Sequence, residues 1–149
     1  MAGDPSTGER RDLAATLGPL WRRLLATERD VTAGHGLSMW GYAALHELAA
    51  TPVRSQAVLA DGLGLDRTRV IPVLDDLQER GLIRREPDPE DRRVRVLTIT
   101  TDGRRLFRKV QRDVHRAEDE LLGLLGAEDR AAFVRSAAVL GRAAAGPER

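Results

Sequence analysis

The stretch from residue 55 to residue 103 constrains the fold more than any other part of the chain. Two short segments with apolar residues at helical spacing are separated by the turn sequence Leu63-Gly64-Leu65-Asp66. Two β-prone runs follow, joined by the charged loop Asp88-Pro89-Glu90-Asp91-Arg92-Arg93. Two helices, a tight turn and an arginine-tipped hairpin are typical of a winged helix-turn-helix. That module places one helix in the major groove of DNA and can send an arginine into the minor groove.

The composition is that of a compact globular protein. A chain of 149 residues suits one domain with a proper core. No apolar run is long enough to cross a bilayer, residues 1–11 lack the apolar core of a signal peptide, and there is no cysteine for a disulfide. We therefore expect a cytoplasmic protein with no membrane contact and no cofactor.

Arginine dominates the basic residues. The formal net charge is only +1, and Lys109 is the single lysine among 24 basic residues. A GC-rich genome accounts for that ratio but not for the clustering of arginines at the hairpin, where their planar donor forks suit phosphates and base edges. The clustered residues are Arg84, Arg85, Arg92, Arg93 and Arg95.

Hydrophobic periodicity and capping residues divide the chain into helices and one hairpin. Gly18-Pro19 interrupts the first apolar stripe, so we expect a kink or a delayed helix start there. Ser38, Ser55 and Asp66 are predicted side-chain caps. The predicted helices are 11–32, 39–50, 56–63, about 67–80, a long one from residue 101 that Gly126 ends, and 127–144; the strands are 82–86 and 94–99.

The sequence predicts a mainly α fold with a small β-wing. We expect residues 1–10 to be disordered and residues 11–145 to form one domain, with the winged helix-turn-helix at 37–100. The outer helices, at 11–32 and 101–144, carry apolar stripes that need a partner surface. A symmetric dimer built from both chain ends supplies one, and two-fold symmetric DNA favours two reading heads. A monomer that folds these helices onto its own core is the alternative.

A set of short motifs occurs in a fixed order along the chain. They are Leu37-Ser38, Gln56-Ala57, Leu59-Ala60, Leu63-Gly64-Leu65-Asp66-Arg67-Thr68, Asp75-Asp76-Leu77, Arg80-Gly81-Leu82-Ile83, Asp88-Pro89-Glu90-Asp91-Arg92-Arg93, and Thr100 followed by Gly103. In this order and spacing the chain resembles the MarR family of bacterial transcription regulators over residues 11–144. The resemblance implies a triangular homodimer that binds palindromic double-stranded DNA operators near promoters. Many members release DNA when a small phenolic or other aromatic ligand enters a cleft between the dimer helices and the reading head.

The hairpin tip carries the residues that the resemblance assigns to the wing. The Asp-x-Arg pattern of the family is matched by Asp91 and Arg93. We expect Asp91 to hold the loop by pairing with a nearby arginine, which leaves Arg93 free to enter a narrow, electronegative minor groove. Arg92 and Arg95 are expected on phosphates. A solvated charged loop is the alternative.

The fourth helix is the predicted reading helix, because its core stripe leaves the opposite face of its first turns for DNA. That face carries Arg67, Thr68, Arg69 and Pro72, and an arginine there can read guanine. At the start of the third helix, Ser55 and Gln56 are expected to hold a phosphate with side chains and backbone N–H groups.

Pro72 departs from the family pattern. Where members carry a threonine and then a basic residue, this chain has Ile71 and Pro72. Proline in a helix interior costs about 3 kcal/mol. The cost is smaller if the helix effectively starts at Thr68, so that Pro72 falls in the first turn. One phosphate or base contact of the family is missing either way, so the operator sequence does not transfer.

The few aromatic residues suggest a ligand cleft. Trp and Tyr offer flat apolar walls with one donor, and histidine can meet a carboxylate or a phenol. Core packing is the alternative for Trp21 and Tyr42, and a structural histidine is the alternative for His46. The candidate ligand-binding residues are Trp21, His35, Trp40, Tyr42 and His46.

We expect a dimeric, ligand-responsive repressor and no enzyme. The sequence has no catalytic motif, and its three histidines form no metal-ligand cluster. The acids Asp88, Glu90 and Asp91 are expected to solvate the hairpin tip. A winged-helix interaction module that no longer reads DNA is the competing hypothesis, favoured by Pro72 and the acidic pair Asp75-Asp76. Salt-dependent duplex binding discriminates between the two.

Overall fold

The computed structural model describes residues 12–145, so the disordered start predicted for residues 1–10 lies outside the described residues. Within them the chain forms six helices and a two-stranded antiparallel sheet, which confirms the mainly α fold with a small β-wing. The helices are α1 (Leu13–Gly34), α2 (Met39–Ala50), α3 (Gln56–Leu63), α4 (Arg67–Glu79), α5 (Thr101–Leu122) and α6 (Ala127–Ala145), and the strands are β1 (Ile83–Pro87) and β2 (Arg95–Ile99).

Helix α1 runs from Leu13 through Gly18 and Pro19, so the predicted delay of the helix start was wrong, and a kink at this pair stays a prediction. Proline at position 19 leaves the carbonyl of Ala15 without its usual amide partner. Because Ala15 and Pro19 are both exposed, water can bind that carbonyl, and the helix tolerates the missing hydrogen bond.

Side-chain caps start the two helices of the reading unit, as predicted. The Ser55 Oγ accepts a hydrogen bond from the Val58 backbone N–H at 3.1 Å, and the Asp66 Oδ1 accepts one from the Arg69 backbone N–H at 2.9 Å. Between the two helices, Gly64 adopts the left-handed conformation with φ 65°. Glycine takes this conformation without the steric cost that a side chain imposes, so the turn stays short.

The wing is a hairpin whose second strand is held by the loop before α3. Strands β1 and β2 pair antiparallel with Ile83 opposite Ile99. Val53 forms an isolated bridge with Leu97: its N–H donates to the Leu97 carbonyl at 3.0 Å, and the Leu97 N–H donates back at 2.7 Å. A one-residue strand has no periodicity, so the sequence did not predict this link.

The described chain divides into two compact units, the first ending at Val114 and the second starting at His115. In the first unit the inner face of α4 is buried completely, with Val70, Leu74 and Leu77 at 0% exposure. This confirms the predicted apolar stripe and turns the opposite face of α4 to solvent. Other fully buried side chains are Leu45, Leu48, Leu59, Ile83, Leu97 and Val110.

The start of α5 is fixed to the end of α4. The Thr100 Oγ1 accepts from the Gly103 N–H at 3.0 Å and donates to the Gly81 carbonyl at 2.7 Å. A Cβ at Gly103 would lie 2.0 Å from the Leu82 carbonyl oxygen. Only glycine therefore permits this approach of helix to backbone, which explains why threonine is followed by glycine three residues later.

In the second unit, Asp119 and Arg130 form an ion pair between the last part of α5 and α6. Several large apolar side chains stay exposed, among them Leu124 at 83% and Leu140 at 65%. None of the helices between residues 12 and 145 combines the length and the apolar character that crossing a membrane requires.

Candidate nucleic-acid interface

A groove of about 370 Å³ lies where the starts of α3 and α4 meet the wing. It brings together five residues that the sequence assigned to DNA binding, although they are far apart in the chain. Its lining is Ser55, Gln56, Arg67, Ile71, Arg93, Val94 and Arg95.

The outer face of α4 presents the other residues predicted on the reading helix. Thr68, Arg69 and Pro72 are exposed, as is Arg67 in the groove. Ile71 was not predicted to bind DNA, but it is 42% exposed and lines the groove. An apolar side chain at this place suits a thymine methyl group rather than a phosphate.

Pro72 lies inside α4 and not in its first turn, so that alternative was wrong. The Asp66 cap fixes the helix start at Arg67, which puts Pro72 in the second turn. Its nitrogen has no hydrogen to donate to the Thr68 carbonyl. Thr68 and Pro72 are both exposed, so water can bind that carbonyl.

The start of α3 offers hydrogen-bond donors at the groove. The Ser55 Oγ already accepts from the backbone of Val58, but its hydroxyl proton is not used by that bond. The first N–H groups of a helix have no acceptor within the helix, so those of Gln56 and Ala57 are available to a ligand. An anion that sits there also gains from the positive end of the helix dipole.

The wing loop is held by Asp91, but through a backbone group. The Asp91 Oδ1 accepts from the Arg93 backbone N–H at 3.0 Å, and its carbonyl accepts from the Val94 N–H at 2.9 Å. The predicted pairing of Asp91 with an arginine side chain was therefore wrong, because the carboxylate closes a local turn instead. Arg92 and Arg93 stay exposed, and neither forms an ion pair with another described residue.

Asp88 is buried at 5% exposure, so the expectation that it solvates the hairpin tip was wrong. Its Oδ1 accepts from the Glu90 backbone N–H at 2.8 Å, and its own N–H donates to the Val94 carbonyl at 2.9 Å. Arg54 approaches it from the α2–α3 loop, with its Nε 3.7 Å from the Asp88 Oδ2. Nothing in the sequence marks Arg54, because the contact joins segments distant in the chain.

The two acids of α4 are paired with arginines. The Arg85 Nη2 lies 2.7 Å from the Asp75 Oδ1, and the Arg80 Nη1 lies 3.3 Å from the Asp76 Oδ2. Their negative charge is therefore compensated locally, and α4 keeps a basic start at Arg67.

Two of the five candidate ligand-binding residues share one aromatic cluster. Tyr42 is buried at 7% exposure and stacks on Phe107 with ring centroids 5.7 Å apart. His46 meets the same ring edge-on at 5.6 Å. Phe107 was not among the residues predicted from the sequence, although its spacing from Val110 and Val114 on α5 would have placed it on the buried face.

The other three candidates lie in different surroundings. Trp21 is 60% exposed and Trp40 is 44% exposed, so neither is packed into the core of the chain. His35 is half-buried, and its Nε2 lies 2.8 Å from the Asp113 Oδ2. Among the residues that the structure describes, no three His, Asp or Glu side chains come together as metal ligands.

Residues 35–94 match the model of the MarR family. CouR, a transcriptional repressor solved on a 23-mer DNA duplex, is similar at 30% identity over 90% of this chain and 99% of its own, with a TM-score of 0.73. The chain belongs to the MarR family. The matched segment runs from the turn before α2 to the wing, so it covers every residue of the groove described above except Arg95.

One further relative is consistent with this assignment, and one further solved structure shares the fold. A transcriptional regulatory protein for the hcr operon of Thauera aromatica is 29% identical over 71% of this chain, and the match spans 64% of that protein's length. CouR from Rhodococcus jostii RHA1, solved with p-coumaroyl-CoA, has the same fold at a TM-score of 0.76 and 24% identity, covering 93% of this chain and 94% of its own.

Proposed function

We propose that this MarR-family regulator is a homodimeric repressor that binds a palindromic operator and is released by a small aromatic ligand. The single observation that carries the proposal is the groove that joins Ser55, Arg67 and Arg93. It combines a helix start, a reading helix and a wing arginine, which are the parts that a winged helix-turn-helix uses on DNA.

The groove has the chemistry that duplex DNA requires. Unpaired arginines at the wing can neutralise phosphates and release counterions, and Arg93 is long enough to enter a minor groove. The exposed face of α4, with Arg67 and Arg69, is available to base edges. A similar protein in the family, CouR, is solved on a DNA duplex.

The exposed apolar residues of the outer helices favour a dimer. Helix α1 exposes Leu13, Leu17 and Trp21, and α6 exposes Val134 and Leu140. Each is an apolar stripe that a second copy would remove from water at about 25 cal/mol per Å². Two copies also present two grooves, as a palindromic operator demands.

The aromatic cluster of Tyr42, His46 and Phe107 supports an aromatic ligand. Its rings pack with one another, and His46 remains 58% exposed at its side chain, so a flat ligand can reach it from solvent. The p-coumaroyl-CoA bound by CouR from Rhodococcus jostii RHA1 carries such a ring. Trp40 lies on the same helix and offers a fluorescent reporter.

The competing interaction-module hypothesis loses one of its two supports. Its acidic surface was to come from Asp75 and Asp76, but both carboxylates are paired with arginines. Its other support, Pro72, is exposed and removes a helix hydrogen bond without blocking the groove.

The salt dependence of duplex binding tests the DNA-binding part. We expect the logarithm of the association constant to fall steeply with the logarithm of salt concentration, and Arg93→Ala to reduce that slope by about 0.9. Arg112→Ala is the matched control, because Arg112 is an exposed arginine on α5 outside the groove. If the two variants bind duplex equally well and with equal slopes, the wing does not contact DNA.

Sedimentation and fluorescence test the remaining parts. A stable dimer at micromolar concentration is expected, and Leu140→Asp should shift it toward monomer because a charge on an apolar interface costs free energy. Phenolic acids and their CoA thioesters should quench the tryptophan fluorescence and weaken duplex binding. A monomer that binds duplex with full affinity would contradict the dimer, and DNA binding that no such compound alters would contradict the ligand.

A further inference from the structure

The turn between α1 and α2 touches two other parts of the first unit through two adjacent residues. On one side, the His35 Nε2 lies 2.8 Å from the Asp113 Oδ2 on α5. On the other side, the Gly36 carbonyl accepts from the Arg80 Nη1 at 2.7 Å, at the end of α4. We call the series Asp113, His35, Gly36 and Arg80 the turn link.

Backbone hydrogen bonds tie the turn to the end of α1. His35 and Leu37 both donate their N–H to the Thr32 carbonyl at 3.0 Å, and Gly36 donates to the Ala33 carbonyl at 2.9 Å. Gly36 has φ 69°, a left-handed conformation that glycine adopts without strain. Because the backbone hydrogen bonds join His35, Gly36 and Leu37 to the end of α1, we expect a displacement of His35 to move the Gly36 carbonyl as well.

Arg80 joins this carbonyl to the last turn of α4. Its Nη1 also lies 3.3 Å from the Asp76 Oδ2, and its backbone N–H donates to the Asp76 carbonyl at 3.1 Å. One guanidinium thus fixes the carboxyl end of the reading helix to the α1–α2 turn. Its side chain is 32% exposed, so solvent competes only in part for these bonds.

We propose that the turn link sets the orientation of α4 for DNA reading, with Arg80 as its positioning residue. The inference rests on the proposed function and extends it, because Arg80 lies at the opposite end of α4 from Arg67, about 20 Å away along the helix axis. Arg80 therefore affects DNA binding by setting the angle of α4, and not by contacting DNA itself. Base contacts need that angle to be correct, whereas phosphate contacts tolerate small changes.

The effect on specificity distinguishes positioning from direct contact. Arg80→Met keeps the apolar stem and removes the donors, and we expect it to lower the ratio of operator to random-duplex affinity about fivefold, the effect of one lost hydrogen bond. The slope of the logarithm of the duplex association constant against the logarithm of salt concentration should not change, since no phosphate contact is lost. Arg80→Lys keeps one donor for the Gly36 carbonyl and should restore most of the ratio. A reduced salt slope in Arg80→Met would overturn the positioning role.

A double-mutant cycle tests the link between the two ends. His35 and Arg80 act through the same turn. His35→Ala should therefore lower the ratio of operator to random-duplex affinity in the wild-type protein, but should lower it little further in the Arg80→Met variant. His35→Gln retains hydrogen-bonding capacity and should behave like the wild type. The matched control is Arg105→Met, which breaks an exposed ion pair with Asp102 elsewhere on α5 and should combine additively with Arg80→Met. Full additivity of His35→Ala and Arg80→Met would overturn the link.

Hydrogen exchange in the free protein tests the same link without DNA. We expect His35→Ala and Arg80→Met to speed exchange at the carboxyl end of α4, residues 76–80, and to leave the β1–β2 hairpin unchanged. Unchanged exchange in α4, or equal acceleration in the hairpin, would contradict the link. If the wild-type protein bound no duplex at all, the proposed function would fail while this measurement still decided the link.

Discussion

Replacing Pro72 with alanine should make the protein more stable, because proline occupies an exposed interior position of α4. Proline in a helix interior is about 3 kcal/mol less favourable than alanine. The side chain is exposed, so the substitution removes no buried packing. That value applies to solvent-exposed helix interiors, so it already includes hydration of an exposed carbonyl such as that of Thr68. The expected gain is therefore about 3 kcal/mol.

Thermal unfolding at one fixed protein concentration measures this gain. For a chain of this size, about 3 kcal/mol corresponds to a rise in Tm of about 6–12 °C. Pro52→Ala is the matched control, because Pro52 lies exposed in the loop after α2. Removing proline from a loop adds freedom to the unfolded chain and should lower stability by about 0.5 kcal/mol. The reasoning is refuted if Pro72→Ala melts at or below the wild-type temperature.

Pro72→Arg adds a test of the DNA-facing surface to the same position. It should gain nearly the same stability as Pro72→Ala, since arginine and alanine differ little in helix propensity. If the outer face of α4 meets DNA, the added guanidinium also contacts a phosphate and steepens the salt slope by about 0.9. Duplex titrations of the two variants separate stability from charge. If Pro72→Arg binds no more tightly than Pro72→Ala, this face does not meet DNA and the interaction-module hypothesis gains support.

Three other substitutions test how the scaffold holds the groove. Gly103→Ala forces a Cβ to 2.0 Å from the Leu82 carbonyl oxygen and should lower stability by about 3 kcal/mol in urea unfolding. Gly62→Ala, whose Cβ meets nothing within 4 Å in α3, should instead gain about 0.5 kcal/mol, and equal effects would contradict the packing argument. Asp88→Ala leaves the Glu90 N–H without its acceptor and should lower the free energy of unfolding by about 1–2 kcal/mol. It should also weaken duplex binding, because the wing becomes less well ordered. Unchanged binding would show that the wing keeps its shape without Asp88.

The elements of this fold could be predicted from sequence because their signals are local. The Asp66 cap, the Gly64 turn and the buried stripe of Val70, Leu74 and Leu77 each lie within one or two helical turns, so spacing reveals them. The reading residues followed from the same pattern, because the face opposite a buried stripe must be exposed. Pro19 misled the prediction since its effect depends on solvent access to one carbonyl, which sequence does not show.

The contacts that hold the groove together could not be predicted because they join distant segments. Arg54 reaches Asp88, Val53 bridges Leu97, and Arg80 reaches the Gly36 carbonyl. Each requires knowledge of which loops lie side by side, and none of these residues stands out by type in a chain rich in arginine. The role of Asp91 shows the same limit on a smaller scale, since a carboxylate near several arginines bonded to a backbone N–H instead.

The separation of charge along α4 explains how a chain with a net charge of only +1 can present a DNA-reading surface. In the second half of the helix, Asp75 and Asp76 are paired with arginines, so their charge does not repel a phosphate backbone. In the first half, Arg67 and Arg69 are exposed on the outer face, next to the unpaired arginines of the wing. Attraction for DNA depends on the local field within a Debye length, about 8 Å at physiological salt, and not on the total charge. It follows that neutralising Asp75 or Asp76 would change the net charge as much as adding an arginine to the groove, yet it would strengthen duplex binding far less.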